Sequence, residues 1–411
     1  MSPYGTDTLP RRGPQRDALW WRGAAAPLVM KILASLLLAL PALGIAPGAA
    51  SARLDDEPPD CRKCDSLGRQ PCGEHRGVDC ALEDHVLYCS VVDGCEACGG
   101  TGWVDCEHCE NEEAQGELIL RRDRVARSRA DLAWIDEEFE RPLRKAETEH
   151  FVLIWEMEGM KVGRKRLDEH EMLHLTAQRL EELFARYLEA FQCRESEFRK
   201  KTIVAVWWLP KDQVEGSLRL CNTSSSNGVK LMGATPRYSM CGNKQFVNDD
   251  EALHRQLLHN VAHVLLSHQS PSRWIGQEKY GWADAGVAHW FEYQLFERCT
   301  NYCYEEQNTR VDFRGGKYRP AVRKLVAMDE APPVAQVFSR TTNDLETAEH
   351  AFAFSYVDFL LATDGAKFDK LAKRLRARAE TRDALRDVYG WTPLEFEERW
   401  KAWVLETYPT R

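Results

Sequence analysis

The residues best placed to do chemistry are His259 and His263, in the run His259-Asn260-Val261-Ala262-His263. Four residues apart on a helix, both imidazoles project from one face and can reach one metal ion. The surrounding stretch, 248–268, reads as that helix. Leu253, Leu257, Leu258, Val261, Val264 and Leu265 recur at helical spacing. Asn248 and Glu251 stand in capping-box spacing, and Asp249 and Asp250 add negative charge at the positive end of the dipole. Ser270-Pro271 stops the helix. His254 and His268 are expected on solvated faces.

The pair is the metal half of H-E-x-x-H. In that motif a carboxylate follows the first histidine and takes a proton from metal-bound water. Here the position is Asn260, whose neutral amide has no useful basicity. A second stretch, Trp282-Ala283-Asp284-Ala285-Gly286-Val287-Ala288-His289-Trp290-Phe291-Glu292, follows a short loop. It resembles the W-x-x-E-G-x-A-x-x-x-E helix of the peptidase-MA-like (gluzincin, thermolysin-type) zinc metallopeptidases. Trp282, Gly286, Ala288 and Glu292 fall in register. The resemblance implies a third zinc ligand at position 285, where this chain has alanine. His289 lies one turn further, about 40° around the helix, and Asp284 is adjacent, about 100° around. The third ligand is open between His289 and Asp284, or it is lost. Glu278, in the intervening loop, could swing in as a base, though nothing in its spacing calls for that.

Nine of the 14 cysteines lie between Cys61 and Cys109. Cys61-x-x-Cys64, Cys95-x-x-Cys98 and Cys106-x-x-Cys109 are paired-thiolate knuckles, while Cys72, Cys80 and Cys89 stand singly. Two residues between cysteines let both sulfurs bind one ion from a tight turn, and two such turns complete a tetrahedron. Cys95 to Gly102 fits C-x-x-C-x-G-x-G in full, and its glycines allow the positive φ that turns backbone amides toward the sulfurs. This stretch resembles the zinc repeats of DnaJ-type chaperones. By that likeness Cys61, Cys64, Cys106 and Cys109 close one zinc site. Cys95 and Cys98 join two of Cys72, Cys80 and Cys89 in another, which leaves one cysteine over, with His75 and His85 as possible substitutes. Few large apolar residues lie here, so the module needs cross-links to fold. Disulfides are the competing explanation, open to an exported protein.

The elements that must position these groups follow in order. Residues 1–52 read as a signal-peptide region: Leu28 to Ile45 is largely apolar, Ala50-Ser51-Ala52 is a cleavage signal, and Met30 is a candidate true start. Residues 53–115 form the cysteine-rich module and 116–148 a charged helical linker. Residues 149–411 form the gluzincin-like domain. In it Phe151–Trp155 and Thr202–Leu209 read as strands and Glu169–Phe191 as a helix, with short strands near 229–233 and 237–240. Cys221 and Cys241 flank this region as a possible bridge, and Cys299 and Cys303 sit one helical turn apart. Beyond 318 the chain reads as helical, with His350–Leu361 too apolar all round for a surface helix.

The expected class is α+β: a zincin-like lobe with a small sheet and a helical C-terminal lobe, preceded by the zinc-bound module. A net charge of −9 argues against nucleic acid as a partner. The expectation is an exported protein with no membrane span left after cleavage. It binds a protein or peptide without cutting it. The alternatives are an active peptidase with an unusual base, and an interaction protein of the cysteine module with the lobe as scaffold.

Overall fold

Two runs of β-branched and aromatic residues dictate the centre of the molecule. In the computed structural model, Phe151–Glu156 (β5) and Thr202–Trp207 (β8) pair in parallel, Leu153 opposite Val204. The structure describes residues 61–75, 85–109, 111–242, 249–268, 274–299 and 315–411. The expected signal-peptide region, Cys80, Asn248 and Cys303 lie outside them, as does the side chain of His75. Both central strands are buried almost end to end, as strands covered on two faces must be.

Around them the described residues form an α+β fold with a mixed six-stranded sheet. Its order runs Tyr88–Cys89 (β2), Lys145–Glu147 (β4), β5, β8, Arg237–Cys241 (β10) and Val229–Leu231 (β9). β10 is parallel to β8, whereas β4, β2 and β9 run antiparallel to their neighbours. Two short two-stranded ladders stand apart: Arg69–Pro71 (β1) with Trp103–Asp105 (β3), and Met160–Val162 (β6) with Lys165–Leu167 (β7).

Strand alternation sorts the side chains into two layers. Val152, Ile154, Ile203, Ala205 and Trp207 form one, under Glu112–Phe139 (α1) and Pro210–Cys221 (α3). Phe151, Leu153, Trp155, Val204 and Val206 form the other, under Glu169–Phe191 (α2) and Asp250–His268 (α4). Asp168 and Glu171 make a reciprocal capping box that fixes where α2 starts. On α4 it is the Asp249 side chain that caps, accepting from the Ala252 amide at 2.9 Å.

Behind α4 lies Gly281–Phe296 (α5), packed on Thr347–Thr363 (α8). α8 is buried from Thr347 through Leu360, as its uniformly apolar sequence requires. Tyr318–Ala327 (α6), Val334–Phe338 (α7), Gly365–Arg376 (α9), Thr381–Tyr389 (α10) and Pro393–Thr407 (α11) surround it. Residues from Pro58 to Arg411 form one compact unit, so the cysteine-rich stretch contributes its β2 strand to the main sheet. No helix of the described residues is long and apolar enough to cross a membrane.

Three expectations change. His268 is buried, its Nε2 2.6 Å from the Lys200 carbonyl, because the chain around Lys200 covers the end of α4. His254 is largely buried beside Phe296, and burial next to Arg179 and Arg255 pushes its pKa down to about 3. Cys221 and Cys241 are not joined in a disulfide, and their thiols are directed at the Val229 and Trp208 carbonyls respectively.

Gly286 is where α5 meets α8. A Cβ there would sit on the Ala353 carbonyl oxygen and 2.6 Å from Val357 Cγ2. Alanine normally gains up to about 1 kcal/mol over glycine inside a helix. Overpacking against a backbone atom costs about 1–3 kcal/mol and outweighs it. Gly286→Ala is therefore expected to lower the urea midpoint without changing the slope of the transition. A raised midpoint would mean the two helices part at no cost.

Candidate metal centres

The first centre is all sulfur. β1 and β3 pair over three positions, Gln70 opposite Val104, and bring the Cys61–Cys64 turn against the Cys106–Cys109 turn. Gly68, at φ 68°, closes the first turn, and its carbonyl accepts from the Cys106 amide at 3.0 Å. Cys61 Sγ lies 3.9 Å from Cys106 Sγ, and Cys64 Sγ 3.5 Å from Cys109 Sγ. A disulfide would put sulfurs about 2.05 Å apart. The edge of a tetrahedron of thiolates around zinc is about 3.8 Å, from Zn–S bonds of about 2.3 Å. The four sulfurs are spaced for an ion, and all four thiols are free. A hydrogen bond from the Lys63 amide brings the Cys61 thiol down to about 7.

The second centre groups Cys72, Cys95 and Cys98. Cys72 Sγ is 3.8 Å from Cys95 Sγ, the same tetrahedral edge. Gly99, Gly100 and Gly102 all take positive φ, and the Gly102 amide points at Cys98 Sγ at 3.4 Å. This is the use the glycine spacing predicts. Of the three single cysteines, Cys72 is the one that joins this pair among the described residues. His85 is in neither group.

Cys89 goes elsewhere. It groups with His170 and His174 of α2, its Sγ 3.3 Å from His170 Nε2. Burial raises this thiol, but hydrogen bonds from both histidines outweigh it and bring it down to about 6. The sequence reading used only the apolar side of α2. The signal it passed over was a second histidine pair at i,i+4, combined with the cysteine left over.

The fourth centre lies between α4 and α5. His259 and His263 do project from one face, their Nε2 atoms 3.2 Å apart. His289 of α5 faces them, and its Nδ1 is 3.5 Å from Glu292 Oε2, which is 3.3 Å from His259 Nδ1. His259, His289 and Glu292 thus form one group of possible ligands. Of the two candidates for third ligand, His289 is in that group. Asp284 is not: its Oδ2 pairs with His263 Nδ1 at 2.9 Å and accepts from Thr342 Oγ1 at 2.7 Å and from Trp274 Nε1 at 3.1 Å. It orients His263. Ala285 is buried in the apolar core. Glu292 and His350, whose Nδ1 is 3.4 Å from His289 Nε2, were not foreseen as site residues. Glu292 belonged to the matched pattern and was read there only as register.

Asn260 turns away from this group. Its carbonyl accepts from Lys230 Nζ at 2.9 Å and its amide donates to the Gln256 carbonyl at 2.9 Å. Glu278 pairs with Arg378 at 3.2 Å. His259 and His263 are 1% exposed, and Asp284, His289 and Glu292 are 0% exposed. Burial pushes His259 down to about 3, so the ring is neutral. Burial opposes the charge on Glu292, but hydrogen bonds from His259 and His289 outweigh it and bring the carboxyl down to about 2. Neutral imidazoles around an ionised carboxylate are the donor set of a divalent ion. The 3.3 Å between His259 Nδ1 and Glu292 Oε2 is close to the N–O edge of about 3.4 Å that tetrahedral zinc imposes. A scan of the chain against protein-family models matches none, and a search of the curated proteins returns no match.

Proposed function

We propose that this chain is an exported, non-hydrolytic, metallopeptidase-like protein that binds a protein or peptide partner, with zinc in its cysteine clusters. The observation that carries the reading is the state of Asn260. The residue at the general-base position is an amide committed to Lys230 and Gln256, beside histidines that solvent scarcely reaches. His259, His289 and Glu292 would hold an ion at the fourth centre. Such an ion polarises a carbonyl or activates a water where a substrate can approach. These residues keep it buried and offer no free base, so they hold helices α4 and α5 together.

A surface groove of about 730 Å³ is a better place for a partner. It opens where β5 and β8 begin, beside α2 and the end of α4. Arg194, Arg199, Lys200 and Lys201 line it with Glu149 and Glu195, while Glu197 pairs with Arg194 and Glu147 with Lys201 from beside it. Arg199 and Lys200 suit an acidic segment. The test uses the full chain loaded with zinc. No cleavage of a mixed peptide library is expected, and acidic peptides are expected to bind. Reversing Arg199 and Lys200 to glutamate is expected to weaken that binding roughly tenfold, at up to about 1 kcal/mol for each exposed pair. Cleavage abolished by His259→Ala would sink the reading.

The groove also carries a pH-dependent strut. His150 Nδ1 bonds Glu181 Oε2 at 2.7 Å. Burial lowers the His150 pKa, but the hydrogen bonds and charges of Glu181 and Glu195 together outweigh it, for a net rise above 6.5. Burial likewise raises Glu181, and His150 outweighs it, for a net fall below 4.5. A raised histidine pKa gives stability that is complete below the unfolded value and is lost as pH rises through the folded one. A depressed carboxylate pKa gives stability that is lost as pH falls. His150→Gln should therefore destabilise most between the two ordinary values, from 4.5 to 6.5. The difference from wild type should shrink toward alkaline pH, read as unfolding free energy across a pH series. A difference that stays flat would show the pair is not ionic.

A further inference from the structure

Cys89 sits on the edge strand of the main sheet, opposite Ala146 of β4. Alternation turns Tyr88 toward the layer under α1 and Cys89 toward the layer under α2. There His170 and His174 wait, one helical turn apart on the first two turns of α2. His170 Nε2 is 3.3 Å from Cys89 Sγ and 3.0 Å from His174 Nε2, and the two rings cross at 67°. Cys89, His170 and His174 are 3%, 9% and 2% exposed.

A ring nitrogen carries one proton or one in-plane lone pair. At His170 Nε2 either one serves one of these two contacts well and the other poorly. An ion among the three atoms satisfies all three lone pairs together. Tetrahedral zinc sets ligand edges of about 3.4 Å between two nitrogens and about 3.6 Å between sulfur and nitrogen. The spacings found are within about half an ångström of these, a small adjustment for two imidazoles on rotatable side chains.

We propose that Cys89, His170 and His174 hold a zinc ion that fastens the cysteine-rich stretch to α2. One thiolate and two imidazoles are the donors of a borderline-soft transition ion, whereas calcium and magnesium take oxygen. The ion has mechanical work at this place. β2 meets β4 at only two ladder positions, too few to hold an edge strand by themselves. With the ion, the backbone on either side of Cys89 is tied to a helix that is itself anchored by its cap and its buried face. Among the described residues no further Cys, His, Asp or Glu joins these three, so the ion's fourth corner is open to a small donor.

The test is metal content and ligand type in the full chain. Cadmium-substituted wild type is expected to give a ¹¹³Cd resonance of one-sulfur, two-nitrogen ligation, separate from the signals of the cysteine clusters with three or four sulfurs. The fourth centre contains no sulfur, so its signal cannot be mistaken for this one. Cys89→Ser and His170→Ala should each lose that resonance and one zinc per chain, and leave the signals of the cysteine clusters in place. A folded wild type without a one-sulfur, two-nitrogen resonance would overturn the proposal, whatever the variants do. So would variants that keep their full zinc content, and so would copper in place of zinc.

Discussion

Cys106→Ser is expected to cost the chain one bound ion and the order of residues 61–71 and 103–109 together. The side chains that meet at this centre are Cys61, Cys64 and Cys106, with Cys109 half-buried beside them. No aliphatic or aromatic residue belongs to that cluster, so apolar burial contributes little to holding the two turns. Their one ladder, β1 with β3, has three positions. The other ties are the contact of Trp103 with Leu118 and the Arg69–Glu117 pair, and an ion at the four sulfurs would be the strongest of them. Structural zinc binds with an apparent free energy of about 10–16 kcal/mol near neutral pH, and where no site exists in the unfolded chain that energy is folding energy. Serine is a poor zinc ligand. Its oxygen would also leave the Gln70 amide, which donates to Cys106 Sγ at 3.4 Å, without its present partner. Hydrogen exchange followed by mass spectrometry is the measurement. Protection should vanish in these two segments and persist in β5, β8 and α2, which pack in a different cluster. Retained protection with a full complement of metal would show that the fold and not the ion holds the turns.

The sequence announced this centre because its ligands are local. Two knuckles of fixed spacing define four thiolates, and only their mutual approach had to come from the fold. The same locality explains which elements were legible. α2 runs from Glu169 to Phe191 as read, since its capping box and its apolar periodicity lie within the segment. α8 betrayed its burial by composition alone. Elements defined by their neighbours were not legible. β2 and β4 have two and three residues, too short to display a period, and exist because β5 offers an edge. α3 was missed after the strand stop at Pro210, which is the first residue of a helix and not only the end of a strand. Its inward face carries Gln213, Gly216 and Ser217 before Leu220 and Cys221, so its apolar stripe is confined to the last turn. Gly216 is required there, since a Cβ would enter the Trp207 ring.

The centre between α4 and α5 divides in the same way. The shared face of His259 and His263 was legible from i,i+4 spacing, but only His259 joins the group of possible ligands. The partners of each ring were not legible, because they depend on the angle at which α5 crosses α4. That angle gives Glu292 to His259 and Asp284 to His263, although Asp284 is next to the position where a ligand would be sought. An adjacent residue on a helix points about 100° away. For Asp284 that direction leads to the second nitrogen of a histidine, where a carboxylate fixes the ring and its tautomer.

Asp284→Ala is accordingly expected to be strongly destabilising. Its carboxylate is fully buried, accepts from Thr342 and Trp274, and pairs with His263. Removing it takes a partner from three side chains at once. A buried group left without its polar partner costs about 1–3 kcal/mol. Three such partners with overlapping costs give an expected loss of about 3–5 kcal/mol, a large share of a typical folding free energy of about 5–15 kcal/mol. Glu278→Ala supplies the contrast. Glu278 lies in the connection just before α5, but it is half-exposed and pairs with the exposed Arg378, so its loss should stay within about 1 kcal/mol. Asp284→Asn keeps the shape and one acceptor oxygen and should fall between the two. Denaturant unfolding of the three variants against wild type gives the order directly. If Asp284→Ala and Glu278→Ala cost the same, the carboxylate at 284 has no hold on His263, and the ring is positioned by packing alone.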